Sequence, residues 1–499
     1  MSQRPPRVPR RAAGIVMRRR RDGAVLLGRR TVNARSWAGT LAFPGGSVDD
    51  DDHLLPLLSG AVGEEAAFRG AALREAFEEA GLVSFAAENG DVADEGDVAR
   101  AVALVVGGRS LRAALADTKL ALDDRMLLPL GAWLTAEGSF LVARFLWPVD
   151  EAPTSITPPT QELDELELRL PAACMQGWRD GSVFLPPPIR TQLSRLATLP
   201  TDCSDDDVAA VMRKAPAEPE RLRRDVIDGV VFIDTRTPTL APATTTNCLV
   251  LGCGDVLLVD PATPYADERA RFDTLLATIL EGRRVAGIVL THHHHDHIGD
   301  VERLRALHGC PVYAHALTAE QLDFDVDVLI DDGHAFVLTA PDDPQRTLRF
   351  VAVHTPGHAR GHLCLYEPRR RLLVAGDMIA GVGSIIIDPP EGHMATYLKS
   401  LDRLIALSPR SVIPAHGGLL TDAVGRLQQQ KAHRLARETR VLAAITAGAD
   451  DVEGIVAAAY GPDTPPAMFA FAARSVLAIV EKLVEDGVVV GDGRWRLRA

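Results

Sequence analysis

The sequence predicts a multidomain α/β protein, on three observations. Its 499 residues are long for a single hydrophobic core, so two or three domains are expected. From Val230 onward β-rich runs (VVFID, NCLVLG, DVLLVD, VAGIVLT, CPVYAH) alternate with helical stretches, the pattern of a layered α/β domain. After about Thr421 the character changes to three helices followed by a short hairpin on Gly491-Asp492-Gly493, the order of a winged helix.

Taken from the N-terminus, Ala12 to about residue 198 mixes strands and helices. AAGIVMRRRRDGAVLLGRR predicts two strands around an Asp22-Gly23 turn, which puts Arg18 to Arg21 in a solvated cluster near the hairpin end. GAWLTAEGSFLVARFLWPV predicts a second pair of strands. A polar, acidic, proline-bearing stretch follows, and residues 199–225 are expected to be a linker. The layered domain then spans 226–422 and the winged helix 423–499.

Bulk properties narrow the function classes. The chain is 46% hydrophobic and 24% charged, and no apolar run reaches the roughly 18 residues of a membrane span. The arginine-rich N-terminus has no apolar stretch resembling a secretory signal, so a cytoplasmic location and no membrane partner are expected. Six scattered cysteines without a C-x-x-C pair argue against a disulfide framework or a zinc ribbon. The net charge of −13 concentrates in the middle: residues 201–350 carry 14 Lys+Arg against 26 Asp+Glu. Such a surface repels polyanions unless metal ions offset it.

The densest chemistry lies in LTHHHHDHIGD, residues 290–300. The apolar run VAGIVL ends just before Thr291, so the histidines begin at the C-terminal end of a strand, where open α/β sheets place ligand sites. Read as H-x-H-x-D-H, the spacing selects His292, His294, Asp296 and His297 and leaves His293 and His295 as spacers. Imidazole and carboxylate suit Zn²⁺, Mn²⁺ or Fe. HTPGHARGH adds His358 after a Pro-Gly turn, LLVAGDMI adds Asp377, and VIPAHGG adds His416, the last two at strand ends.

In that order these segments resemble the metallo-β-lactamase fold family over about residues 226–422, which implies an αββα sandwich. The resemblance implies that His292, His294 and His358 hold one metal, that Asp296, His297 and His416 hold the other, and that Asp377 bridges them. Asp260 in LLVDPA matches the family's early acidic position behind the ligands. Two zinc ions (manganese or iron being the alternatives) would supply a nucleophile near neutral pH and stabilise a developing oxyanion, with Asp296 steering the water. His362 is divided between a structural hydrogen bond and a role at the site, and Arg360 is a candidate for an anionic substrate. His53, His308, His315, His334, His393 and His433 read as ordinary residues.

A second cluster lies in AALREAFEEAGL, where Glu75, Glu78 and Glu79 fall at i, i+3 and i+4 on one helical face and Arg74 can orient Glu78. Such a face suits Mg²⁺ or Mn²⁺. The segment resembles the C-terminal half of the Nudix box, Arg-Glu-x-x-Glu-Glu-x-Gly, with LAFPGG (41–46) as its glycine loop, and implies an α/β/α sandwich over 12–198. The box carries an insert: 28 residues separate Gly46 from Arg74 where the family usually has 14, and the first glutamate position falls on Ala66, beside Glu64 and Glu65. LLGRRTVNARSWAGTLAFPGG resembles the coenzyme A diphosphatase signature, which implies phosphate contacts from Arg30 and Arg35 and a backbone cradle at Gly45 and Gly46. Glu78 and Glu79, with Asp296 in the other half, are the candidate catalytic groups.

The C-terminal module, with HRLARE at 433–438, resembles the winged helix that follows the last metal histidine in β-lactamase-like endoribonucleases; the same resemblance extends to the glyoxalase II-like group. Arg494, Arg496 and Arg498 on the wing suit nucleic acid or a solvated strand face equally. The helix MFAFAARSVLAIVEKLV is too apolar to read bases, so docking or homodimerisation is its expected role. The function expected is therefore a two-headed metal-dependent hydrolase. One head acts on a thioester, ester or phosphodiester, the other on a nucleotide diphosphate such as coenzyme A. The alternative is a single-stranded RNA endonuclease regulated by a nucleotide-binding Nudix domain.

Overall fold

The computed structural model describes residues 9–31, 34, 37–134, 140–151, 157–214, 224–461 and 466–498. They form two compact units, residues 1–227 and 228–499. Among the described residues no helix is long and apolar enough to cross a membrane.

In the first unit a twisted sheet runs in the order Leu41–Ala42, Val25–Arg30, Arg10–Arg19, Phe140–Val149, Leu128–Leu134. The expected Asp22-Gly23 turn is present, with Gly23 at φ +72, a left-handed conformation that glycine adopts at little steric cost. Strand alternation divides the side chains between two faces. Ile15, Met17, Phe145 and Trp147 pack with Phe68, Leu73 and Phe77 of the helix Gly63–Ala80. Val16, Leu27 and Leu146 pack on the other face with Trp178, Leu193, Val208 and Met212. The sheet is therefore covered by helices on both sides. Gly81 (φ +65) ends the acid-bearing helix by giving its N–H to Ala76 and Phe77 carbonyls.

Two expectations are corrected here. Within the stretch expected to be a linker, Asp205–Met212 is a helix, because Ser204 and Asp207 form a capping box and Val208, Ala209 and Met212 are buried. Arg18 is not solvated: it is 3% exposed and donates to the Thr201 carbonyl, whereas Arg19, Arg20 and Arg21 pair with Asp22, Asp150 and Glu151.

In the second unit one sheet passes through Val230–Arg236, Thr245–Leu251, Val256–Val259, Val285–Val289, Val312–Ala314 and Val328–Leu329. A five-stranded sheet orders Ala335–Thr339, Thr347–His354, Leu363–Glu367, Leu372–Gly376 and Ser411–Pro414. Asn247 of the first sheet joins the second by donating its side-chain amide to the Pro414 and Gly417 carbonyls at 2.8 and 2.7 Å. Val256–Val259 and Val285–Val289 run parallel, as do Leu372–Gly376 and Ser411–Pro414, so their C-terminal ends come out on one edge of each sheet.

The helices Ala423–Thr446, Val452–Tyr460 and Pro466–Glu485 and the hairpin Val489–Gly491/Trp495–Leu497 complete this unit. The apolar third helix does dock. Val476, Ile479, Val480 and Leu483 share one buried cluster with Tyr397, Leu401 and Met378 of the layered domain. On the wing, Arg494 is tied to Asp450 at 2.8 Å.

Candidate functional site

The residues singled out in the second unit converge. Thr291 to His297 follow Val285–Val289, His358 lies in the turn after Thr347–His354, Asp377 follows Leu372–Gly376, and His416 follows Ser411–Pro414. Three groups of three result, His292/His294/His358, Asp296/His297/His416 and a third, His292/His297/Asp377, that draws on both, with one potential ligand atom per residue and these atoms within 4.8 Å of one another in each. Asp377 lies between the first two. Its Oδ2 is 3.5 Å from His358 Nε2, while its Oδ1 is 3.7 Å from His297 Nε2 and 3.4 Å from His416 Nε2.

The outer nitrogens explain which way the inner ones point. His358 Nδ1 donates to the Ile386 carbonyl at 2.8 Å and His416 Nδ1 to the Thr245 carbonyl at 2.9 Å. Asp260 accepts three bonds, from Thr291 N–H, Thr291 hydroxyl and His297 Nδ1, at 2.8, 2.6 and 2.9 Å. Because the Thr291 hydroxyl proton goes to Asp260, its oxygen accepts from His292 Nδ1 at 3.0 Å. Each of these four imidazoles is thus held in the tautomer whose Nε2 lone pair faces inward, an assignment made from the hydrogen-bond network. Asp260 itself sits at φ +50, a left-handed conformation costing of order 1 kcal/mol.

Among the buried atoms without a hydrogen-bond partner are His293 Nδ1, His297 Nε2 and Asp377 Oδ1. Orphaned buried polar groups are expensive, and the last two belong to the set that would face an ion. His292 Nε2, His294 Nδ1 and His358 Nε2 crowd to 3.0 Å, with rings crossed at 80–90°, so their lone pairs meet at one point. Burial and the neighbouring His358 hold His294 neutral, its pKa pushed down to about 2. Burial opposes a charge on His297, but Asp260, Asp377 and Asp296 outweigh it and raise its pKa to about 10, an electrostatic demand for a proton or a cation at Nε2. The donor set therefore fits a pair of divalent ions. His293 and His295 belong to none of the candidate metal groups among the described residues.

His362, divided between two readings in the sequence, has a defined place. It is fully buried, accepts the Asp377 N–H through Nε2 at 3.0 Å, and bonds Thr355 Oγ1 through Nδ1 at 2.9 Å. Through that bond it positions the backbone of Asp377.

His315, read as ordinary, does acquire partners: His315, Asp331 and His354 form another three-residue group. Its rings stack at 10° with centroids 4.3 Å apart. Their in-plane lone pairs therefore run parallel and cannot meet on one ion unless a ring turns. Arg360 is exposed and hydrogen-bonded to the loop at Pro390 and Glu391.

The acidic helix of the first unit behaves differently. Among the described residues Glu75, Glu78 and Glu79 form no group in which one oxygen from each lies within 4.8 Å of the others. Glu79, 2% exposed, accepts the Gly45 N–H at 2.7 Å. Arg74 Nη1 donates to Glu75 at 3.0 Å and to Glu78 at 2.9 Å, as expected for Glu78. Its remaining donors go to Ser47 O and, as a fork at 2.8 and 3.1 Å, to Asp52. Asp52, in the insert and 2% exposed, is a residue the sequence did not single out. Ala66 is buried, and Glu65 is occupied by Arg69 at 2.9 Å, so the missing first glutamate is not replaced from that turn. Burial pushes Glu75 up to about 7 and Glu79 up to about 8, against Arg74 and the Gly45 N–H respectively. Gly45 and Gly46 line this site. Arg30 ends the strand Val25–Arg30 and acts electrostatically on Glu79. Arg35 lies outside the described residues.

A two-sheet α/β fold with this imidazole and carboxylate centre defines a metal-dependent hydrolase. Residues 241–416 match the metallo-beta-lactamase superfamily model, residues 8–102 the NUDIX domain model, and residues 452–495 the beta-lactamase associated winged helix domain model. The chain is a fusion of these three. Among curated proteins it is 29% identical over 205 residues to the atrochrysone carboxyl ACP thioesterase dmxR1 of Cryptosporiopsis sp. (strain 8999), covering 40% of this chain and 58% of that one. It is 27% identical over 255 residues to the beta-lactamase-like protein 2 homolog of Caenorhabditis elegans, covering 49% and 80%. It is 34% identical over 163 residues to a hydroxyacylglutathione hydrolase of Bdellovibrio bacteriovorus, covering 32% and 60%.

Proposed function

We propose that the protein has two hydrolytic heads, one cleaving a thioester or ester at the histidine centre and the other a nucleotide diphosphate such as coenzyme A at the acidic helix. The observation that carries the first is Asp377, whose two oxygens face two separate ligand triads. In this reading His292, His294 and His358 hold one zinc, Asp296, His297 and His416 the second, and Asp377 both. Manganese or iron satisfies the same donors. Glu75, Glu78 and Glu79 would hold Mg²⁺ or Mn²⁺. When bound, such ions supply Lewis acidity and a nucleophile at neutral pH. Two relatives named as a thioesterase and a hydroxyacylglutathione hydrolase favour the thioester.

The chain's own residues do the rest. Asp260, Thr291 and the Ile386 and Thr245 carbonyls keep the imidazole lone pairs inward, and His362 fixes the Asp377 backbone. Asp296, whose side chain is 18% exposed, would accept a proton from an attacking water. In the first unit Arg74 draws Glu75 and Glu78 together, and Glu79, raised toward neutrality by burial, is the candidate base.

The test is mass spectrometry of products from the purified protein with Zn²⁺, Mn²⁺ and a panel of acyl-coenzyme A substrates. Free coenzyme A, lost in Asp377→Asn, is expected from the histidine centre. Phosphopantetheine with 3′,5′-ADP, lost in Glu79→Gln, is expected from the acidic helix. A panel that yields neither overturns the proposal.

A further inference from the structure

The geometry points to Arg144 as the residue that takes up the phosphate oxygens of a diphosphate in the first unit. This rests on the diphosphate reading proposed above. Arg144 lies on the strand Phe140–Val149, in parallel register with Gly14, and Gly14 is paired in turn with Gly45. A Cβ on Gly14 would fall 2.0 Å from Arg144 Nη1 and 2.8 Å from the Pro44 carbonyl, so the guanidinium passes directly over a bare backbone. On the same glycine patch a Cβ at Gly46 would meet the Glu75 carboxylate at 2.4 Å, and the Gly45 N–H holds Glu79. A guanidinium and two candidate cation-binding carboxylates thus share one floor of three glycines.

What distinguishes Arg144 is its lack of partners. Among the described residues its half-buried guanidinium makes no hydrogen bond and no ion pair. Its neighbours are fully engaged: Arg69 with Glu65, Asp124 and the Leu127 carbonyl, Arg74 with Asp52, Glu75, Glu78 and Ser47. Burial lowers its pKa to about 10, with Glu79 opposing, which leaves it charged at neutral pH. A half-buried guanidinium that no described residue pairs is costly to keep charged, and its planar fork matches two phosphate oxygens. Carboxylate-held cations would neutralise one side of a diphosphate while Arg144 neutralises the other. The glycines leave the room that any side chain would fill.

The experiment compares the full chain carrying Arg144→Gln or Arg144→Lys with the parent, in two assays. One measures KM and kcat for coenzyme A with Mg²⁺. The other measures Mg²⁺-dependent binding of inorganic pyrophosphate in an Asp377→Asn background, so that the histidine centre does not contribute. Arg144→Gln is expected to weaken pyrophosphate binding and raise KM about 10- to 100-fold, the loss of a charge-assisted pair. Lysine is expected to recover only part, and the melting temperature of Arg144→Gln to stay equal or rise. Unchanged pyrophosphate affinity and KM in Arg144→Gln, with the parent active, overturn this inference and leave the diphosphate reading standing. Pyrophosphate binding that depends on Arg144 in a protein that cleaves no nucleotide diphosphate overturns that reading and leaves the inference. A parent that binds no pyrophosphate overturns the inference.

Discussion

The histidine centre draws its ligand atoms from four chain segments, yet they already converge, whereas Glu75, Glu78 and Glu79 share a single helix and do not. The contrast lies in how each side chain is anchored. An imidazole is a rigid ring with two nitrogens, so a bond at one, such as His416 to Thr245 or His358 to Ile386, aims the other. A glutamate has three rotatable bonds and needs a counter-charge to stay in place. Arg74 supplies it for Glu75 and Glu78, while Glu79 turns to the backbone of Gly45. The donors of the first centre are held in place by their own hydrogen bonds. On the proposed reading the second would rearrange its carboxylates, and release protons from Glu75 and Glu79, to receive a cation.

This comparison can be broken at four points. The largest effect is expected from Asp377→Asn, which alters a group whose two oxygens face both triads. On the proposed reading, metal content should fall below two ions per chain and thioester hydrolysis by about a thousandfold or more, on the order of 4 kcal/mol of barrier; retained ions and rate would show two independent sites. Glu79→Gln should reduce diphosphate cleavage by 10²–10⁴-fold, about the range for loss of a proton-transfer group, and leave thioester hydrolysis untouched. A drop in both would mean that the heads are coupled.

His362→Ala should weaken metal binding about 10- to 100-fold, the usual cost of losing a group behind the ligands, as read by competition with a chelator. If affinity is unchanged, Asp377 is held by the fold alone. The smallest effect concerns pH. Glu75 and Glu79 bind protons more tightly folded (about 7 and 8) than unfolded. The folded state therefore binds more protons between about pH 4.5 and 8, and stability falls as pH rises through that window. Thermal melts should show the first unit losing a few degrees between pH 6 and 9, about what ~1 kcal/mol shifts in a domain. Mg²⁺ or Mn²⁺ should restore them, and Glu79→Gln should flatten the slope. A flat profile in the parent would mean that the carboxylates are already ionised.

Much of the histidine centre was legible because its chemistry is written in short intervals. His292, His294, Asp296 and His297 lie within six residues, and His358, Asp377 and His416 each follow a turn or an apolar strand end. Asp260 was legible only through the resemblance, as the acidic position in LLVDPA. His362 was harder, since a histidine four residues past a ligand looks alike whether it packs or positions; only the bond from the Asp377 N–H decides it. Asp52 carried no local signal, because its importance comes from Arg74, 22 residues away across the insert. Arg144 was invisible for a related reason: nothing in FLVARFLWPV shows that the facing residue on the next strand is Gly14.

By itself the sequence determined the order of domains, the strand ends where ligands gather, and the residue types able to hold metal ions. Those properties follow from hydrophobic periodicity and from donor chemistry, both local. The tertiary structure alone decided which imidazole nitrogen faces inward, that Asp377 splits its oxygens between two triads, and that Arg144 finds no hydrogen-bond partner among the described residues. Each of these depends on bringing together groups up to about 170 residues apart, as His416 and Thr245 are. Short-range pattern carries no information about such meetings. They are made when the sheets pack, and the packing energy of the whole core, not any single ligand, offsets the chain entropy they cost.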